Sequence, residues 1–144
     1  MVIGIFGENC SGKTTLADEI KKRTDCEVVT GKDYLRMAKS ESEARTLFLG
    51  KLHDAEDGRT VVYVIADRED LSLLPGGAKR IYVKADLETI KARFKARMRG
   101  VLPPPVEAML ERKHGLFENE AADAVYDGAH GEPAAFCDGL EWLR

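Results

Sequence analysis

The chain has 144 residues, of which 44% are hydrophobic and 33% charged, and it carries a net charge of −3. This is the composition of one soluble globular domain spanning 1–144, large enough for a single ordinary core. The slight acidity gives no bulk attraction to nucleic acid or anionic membranes, no apolar run approaches the roughly 20 residues that span a bilayer, and no basic leader precedes the first apolar segment, so the expected setting is cytoplasmic.

Taken in chain order, the first element is a short strand, "VIGIF" (2–6), which runs into the glycine-rich turn "GENCSGKT". A helix follows to about Arg23, with Leu16, Ala17 and Ile20 as its apolar stripe. Further strands are expected at "CEVV" (26–29), "VVYVIA" (61–66), "RIYV" (80–83) and "DAVY" (123–126). Most are apolar throughout rather than alternating, as suits strands buried on both faces of a parallel sheet.

Between the last two strands, Leu87, Ile90, Phe94 and Met98 recur at helical spacing, and Gly100 and Pro103 end the run. A second helix is expected after "PPP" (103–105), carrying Val106, Leu110 and Phe117, and a last one from about Pro133 to Trp142. Strand and helix in alternation argue a right-handed, doubly wound α/β sheet.

Gly7-x-x-x-x-Gly12-Lys13-Thr14 fits G-x-x-x-x-G-K-[ST] in full, between a strand and a helix as that motif requires. Successive backbone N–H groups and the positive end of a helix dipole make a nest for phosphate oxygens. Residues Gly7, Glu8, Asn9, Cys10, Ser11, Gly12, Lys13, Thr14 and Thr15 are thereby the candidate ATP-binding segment. Lys13 would charge-match the β- and γ-phosphates, and the Thr14 hydroxyl would ligate Mg²⁺. Cys10 reads as a small filler of the turn or as a thiol activated by the helix terminus. With Cys26 and Cys137 it forms neither a disulfide framework nor a zinc pattern. His53, His114 and His130 lack metal-ligand spacing and read as surface residues.

The third strand ends in "VIADRED", delivering Asp67 at its C-terminal edge, where a carboxylate would hold Mg²⁺ or serve as an ordinary loop residue. In "IKARFKARMRG" basic and apolar residues alternate, which taken alone suits an edge strand. The stripe extending back to Leu87 argues a helix instead, with Arg93 and Arg97 on one flank and Lys91, Lys95 and Arg99 on the other.

With these residues in view, the chain resembles the P-loop kinases of the nucleoside-monophosphate kinase family, adenylate kinase-like and cytidylate kinase-like. The resemblance implies a three-layer sandwich: a five-stranded parallel sheet with helices on both faces and a short lid, here about 97–113. "VVTGKDYLRMAKS" looks like the start of that family's acceptor region, here short at about 31–58, with Lys32 inserted. On that likeness Arg36 grips an acceptor phosphate, Asp33 orients the acceptor and Arg68 faces it. The plain alternative is a helix capped by Asp33. Adenylate kinases carry Asp-Gly-Phe-Pro-Arg after the third strand, where this chain has Asp67-Arg68-Glu69-Asp70. "RFKARMRG" and "ERKHGLFE" look like the two arms of the lid, which implies that Arg93, Arg97 and Arg112, with Lys13, stabilise the transferring phosphoryl group. A solvated basic face is the alternative for these arginines.

The expected activity is therefore transfer of the γ-phosphoryl group of ATP, with Mg²⁺, to a small-molecule acceptor such as a nucleoside monophosphate. A kinase of a small-metabolite hydroxyl, shikimate- or gluconate-kinase-like, is an open alternative, as are a P-loop ATPase and a nucleotide-binding module without an acceptor. The sequence leaves the acceptor and the oligomeric state open.

Overall fold

The computed structural model describes residues 1–55 and 58–143. Of the acceptor region expected over about 31–58, positions 56 and 57 lie outside the described residues, as does Arg144 of the final segment.

Five strands form one wholly parallel sheet: β1 (Val2–Phe6), β2 (Cys26–Thr30), β3 (Thr60–Ile65), β4 (Lys79–Lys84) and β5 (Ala124–Asp127), in the spatial order β2-β3-β1-β4-β5. Phe6 registers with Ile65 on one side and Tyr82 on the other, so β1 lies at the centre. Chain direction through the sheet reverses at β1: β2 and β3 build to one side, β4 and β5 to the other. A crevice opens at the carboxyl end of such a strand, and the glycine turn leaves β1 at that point.

The apolar strands are explained by cover on both faces. Ile3, Ile5, Val62, Val64, Ile81 and Val83 pack with Leu16 and Ile20 of α1 (Lys13–Arg23) and Cys137 of α5 (Pro133–Asp138). The alternate residues Phe6, Val61, Tyr63, Ile65 and Tyr82 face Phe48 and Leu52 of α2 (Glu41–Ala55), Leu71 and Phe117. Phe6 stacks on Tyr82 with centroids 5.3 Å apart. β2, an edge strand, is only half buried.

α2 was not anticipated as a distinct element. Its buried residues Ala44, Phe48, Leu52 and Ala55 have helical spacing, but exposed Leu47 and Leu49 on the other side blur the stripe. The short 3-10 turns Asp33–Met37 and Arg68–Leu73 follow β2 and β3. The expected helix after "PPP" is α4 (Pro104–Lys113), which stops short of Phe117; that ring is fully buried from the following turn, in the core beneath the sheet. The last helix also ends earlier than expected, at Asp138; after Gly139, Leu140 and a 3-10 turn over Glu141–Leu143 continue the packing.

α3 (Leu87–Arg97) is helical, as the stripe predicts, and starts at Asp86, whose carboxylate accepts the Thr89 N–H at 3.0 Å. Its two basic flanks do different work. Lys91 holds α4 through Glu111 at 2.7 Å, while Arg93 and Arg97 face the glycine turn. Among the described residues, no helix is long and apolar enough to cross a membrane.

Candidate active site

The turn between β1 and α1 is shaped by close approaches that exclude side chains. A Cβ on Gly7 would lie 2.4 Å from the Val83 carbonyl oxygen, and Gly12 sits at φ 112°, where an L side chain is strained. Gly7 N–H donates to the Ile65 carbonyl at 3.2 Å, fixing the turn to β3. At the start of α1, Gly12 supplies no capping side chain and the first turn has no acidic residue. The first N–H groups of α1 therefore lack a side-chain cap, and the helix dipole favours an anion there.

A cavity of about 470 Å³ opens over this point. Asn9, Lys13, Thr14 and Thr15 line it from the turn, Arg93 and Arg97 from α3, and Tyr126, Gly128 and Pro133 from the β5–α5 connection. The last wall is held tightly: a Cβ on Gly128 would lie 1.7 Å from the Ser11 carbonyl oxygen. Arg93 ties the walls together, donating to the Cys10 carbonyl at 3.0 Å and to the Gly128 carbonyl at 2.7 Å. Its guanidinium is thus a fastening of the cavity as well as a charge within it. Arg97 is more exposed.

Lys13 is buried and donates from Nζ to the Glu8 carbonyl at 2.6 Å. Burial lowers its pKa from 10.5 to about 8; the nearby Arg97 charge works in the same direction, while Cys10 and Glu8 oppose it. Gly7, Glu8 and Ser11 shape the turn without lining the cavity, and Cys10 has its side chain buried against Ile90 and Leu110. Cys10 also lines the cavity, and its packing suits the small filler of the turn. Thr14 is exposed and lines the cavity.

The other expected site residues gather less closely. Asp67 leaves β3 beside the turn but lines a separate open cleft of about 780 Å³, along with Arg68, Arg80 and Glu120. Arg68 is exposed there and ion-paired to Glu120 at 2.7 Å. Asp33 accepts from the Thr30 backbone N–H and hydroxyl, which hold its carboxyl below the usual range. Arg36 is exposed on the same 3-10 turn, and Arg112 is exposed on α4 and does not line the cavity at the glycine turn.

Two pairings have no counterpart in the sequence reading. Lys32, the inserted residue, donates to Asp70 at 2.9 Å, joining the segments after β2 and β3; Asp70 is buried. His114, exposed as expected, meets Glu8 of the glycine turn at 3.0 Å. Neither pair has a spacing that sequence pattern could show.

No protein-family model matches the chain, and no curated protein matches it. Solved structures do. A sugar kinase from Janibacter superposes with a TM-score of 0.65 at 19% identity, covering 99% of this chain and 93% of that one. The YorR protein of Bacillus subtilis, in complex with phosphorylated GDP, gives 0.63 at 20% identity, covering 99% and 95%. Shikimate kinase from Aquifex aeolicus gives 0.53 at 17% identity, covering 94% and 90%. At these identities the likeness is one of architecture: the chain shares the α/β fold of these structures.

Proposed function

We propose that this protein is an ATP-dependent kinase of a small molecule. The observation that carries this reading is the phosphate cavity, in which the start of α1, Lys13, Arg93 and Arg97 place positive charge around one point beside the motif turn. Phosphoryl transfer asks little covalent chemistry of a protein; it asks for charge around a phosphoryl group and for alignment.

In the reaction, an acceptor oxygen forms a bond to the γ-phosphorus, the bond to the β–γ bridging oxygen breaks, and ADP leaves while the acceptor proton is lost. The turn amides and Lys13 hold the donor phosphates, with Lys13 moving from the Glu8 carbonyl to a phosphate oxygen. Arg97 meets the charge that spreads over the transferring group, and Arg112, which does not line the cavity, would join it only if the α3–α4 arm closed over the donor. Arg93 keeps the turn and the β5–α5 wall together. Thr14 would hold Mg²⁺, which neutralises phosphate charge when bound, and Asp67, which lines the neighbouring cleft, would reach that ion only through a water. Among the described residues no three His, Cys, Asp or Glu side chains gather as a metal cage, and Mg²⁺ commonly relies on waters and substrate phosphates instead.

For the acceptor, a hydroxyl on a small metabolite is the first reading. Only a 3-10 turn and α2 lie between β2 and β3 among the described residues, and Asp33, kept ionised, can accept a hydroxyl proton in a hydrogen bond. The second reading is a nucleoside monophosphate, and the exposed Arg36 favours it, because its guanidinium can fork onto a phosphate.

The test is ADP release from Mg·ATP with no acceptor, with each nucleoside monophosphate, and with a panel of sugars, sugar acids and shikimate, using Lys13→Ala as blank. Stimulation by a hydroxyl compound supports the first reading and stimulation by a monophosphate the second. Slow release that no acceptor changes would point to an ATPase, and nucleotide binding without release to a binding module.

A further inference from the structure

Glu8 is the one acidic residue of the glycine turn, and a carboxylate beside bound polyphosphate is repulsive unless it is turned aside and paired. It is both here. The side chain is buried, its Oε1 lies 3.0 Å from His114 Nδ1, and its Oε2 accepts the Gly115 backbone N–H at 3.2 Å. Both oxygens are thus spent on the residues just beyond α4, more than a hundred positions along the chain. Gly115 sits at φ 82°, a conformation that favours glycine. The Glu8 carbonyl, meanwhile, is the acceptor for Lys13.

Cys10, two residues on, grips the same arm differently. Its side chain is buried with Ile90 of α3 and Leu110 of α4 in a small core apart from the two that cover the sheet. The turn therefore holds the α3–α4 arm at two places, by apolar contact along it and by a charge-assisted bond at its far end.

We propose that the Glu8 side chain is a positioning residue that fastens the end of the α3–α4 arm to the phosphate turn, setting where Arg97 and Arg112 stand relative to Lys13. The catalytic part of this inference rests on the phosphotransfer reading above. Small displacements of charged groups at a transferring phosphoryl are costly, so losing the fastening should show in the rate of the bound complex rather than in donor binding.

The test compares Glu8→Ala, Glu8→Gln and His114→Ala with the unaltered protein by three measurements: ATP affinity, kcat and KM with the acceptor found, and hydrogen exchange of the Gly115 amide with and without ATP. Glu8→Ala should lower kcat about tenfold to a hundredfold with ATP affinity unchanged to within about twofold, because the turn amides remain. The Gly115 amide should exchange faster in that variant. Glu8→Gln still accepts from Gly115 and should recover most of the rate; His114→Ala, which keeps the Gly115 bond, should lie between. A loss of ATP affinity matching the loss of kcat, an unchanged kcat, or a Gln variant no better than Ala would overturn the proposal. If Glu8→Ala does not fold, the Gln and His114 variants decide on the same readouts. If the unaltered protein phosphorylates nothing, the functional reading fails while the Gly115 exchange contrast still decides whether Glu8 fastens the arm.

Discussion

The two ends of the crevice, proposed above for donor and for acceptor, are built in opposite ways. At the donor end the backbone does the work: glycines are pressed against carbonyl oxygens, Lys13 is buried, and Arg93 spends its guanidinium on two main-chain groups. At the acceptor end the side chains do it, and Asp33, Arg36 and Arg68 are exposed, with Arg68 paired to another loop. On the proposed reading, a site made of backbone would hold what all donors share, the polyphosphate. A site made of exposed side chains can be changed residue by residue, and so can its substrate.

Substitutions can sharpen or break this contrast. The largest effect should come from Lys13→Ala, which removes the buried charge aimed at the phosphates; turnover should fall by at least about a hundredfold with the circular dichroism spectrum unchanged. Gly128→Ala should be nearly as severe for nucleotide binding, because its Cβ has no room beside Ser11; calorimetry should show ATP affinity reduced about tenfold or more, along with a lower melting temperature.

Next comes pH. With a Lys13 pKa of about 8 in the free protein, ATP affinity should weaken as pH rises above 8, by up to about tenfold per unit, and Lys13→Met should flatten that slope. Folding stability should move the other way. The unfolded chain keeps this proton up to its ordinary 10.5 while the folded chain releases it, so this group's contribution rises with pH between 8 and 10.5.

The acceptor-end changes should be smaller and should spare ATP. Lys32→Met leaves the Asp70 carboxylate buried without its cation and should cost about 1–3 kcal/mol of stability in urea unfolding, with ATP affinity intact. Arg68→Ala, which breaks an exposed pair, should cost less than about 1 kcal/mol. If either weakens ATP as much as Gly128→Ala does, the two ends are not independent.

The same contrast explains how much could be read from the chain beforehand. The turn was legible because steric demands there are local: Gly7, Gly12, Lys13 and the strand before them fall within a dozen residues. The strands were legible because burial on both faces leaves continuous apolar runs. α2 was missed because Leu47 and Leu49 are apolar yet exposed. Phe117 was assigned to a helix because burial was visible in its residue type, but the turn that delivers it was not. The pairs Lys32–Asp70 and Glu8–His114 join positions 38 and 106 apart, and only the folded topology brings such charges together.

Gly128 and Arg93 carry a consequence for the order in which this protein can become competent. The glycine turn is synthesised well before the groups that brace it, Arg93, Gly115 and Gly128. Chains emerge at roughly 5–20 residues per second, so a nascent chain carries an unbraced motif for several seconds. During that interval it has the signature of a nucleotide site without the site. A truncated product ending before residue 128 would keep the whole motif and lack the wall behind it, so that on the proposed reading nucleotide capture would await a sheet closed to its fifth strand.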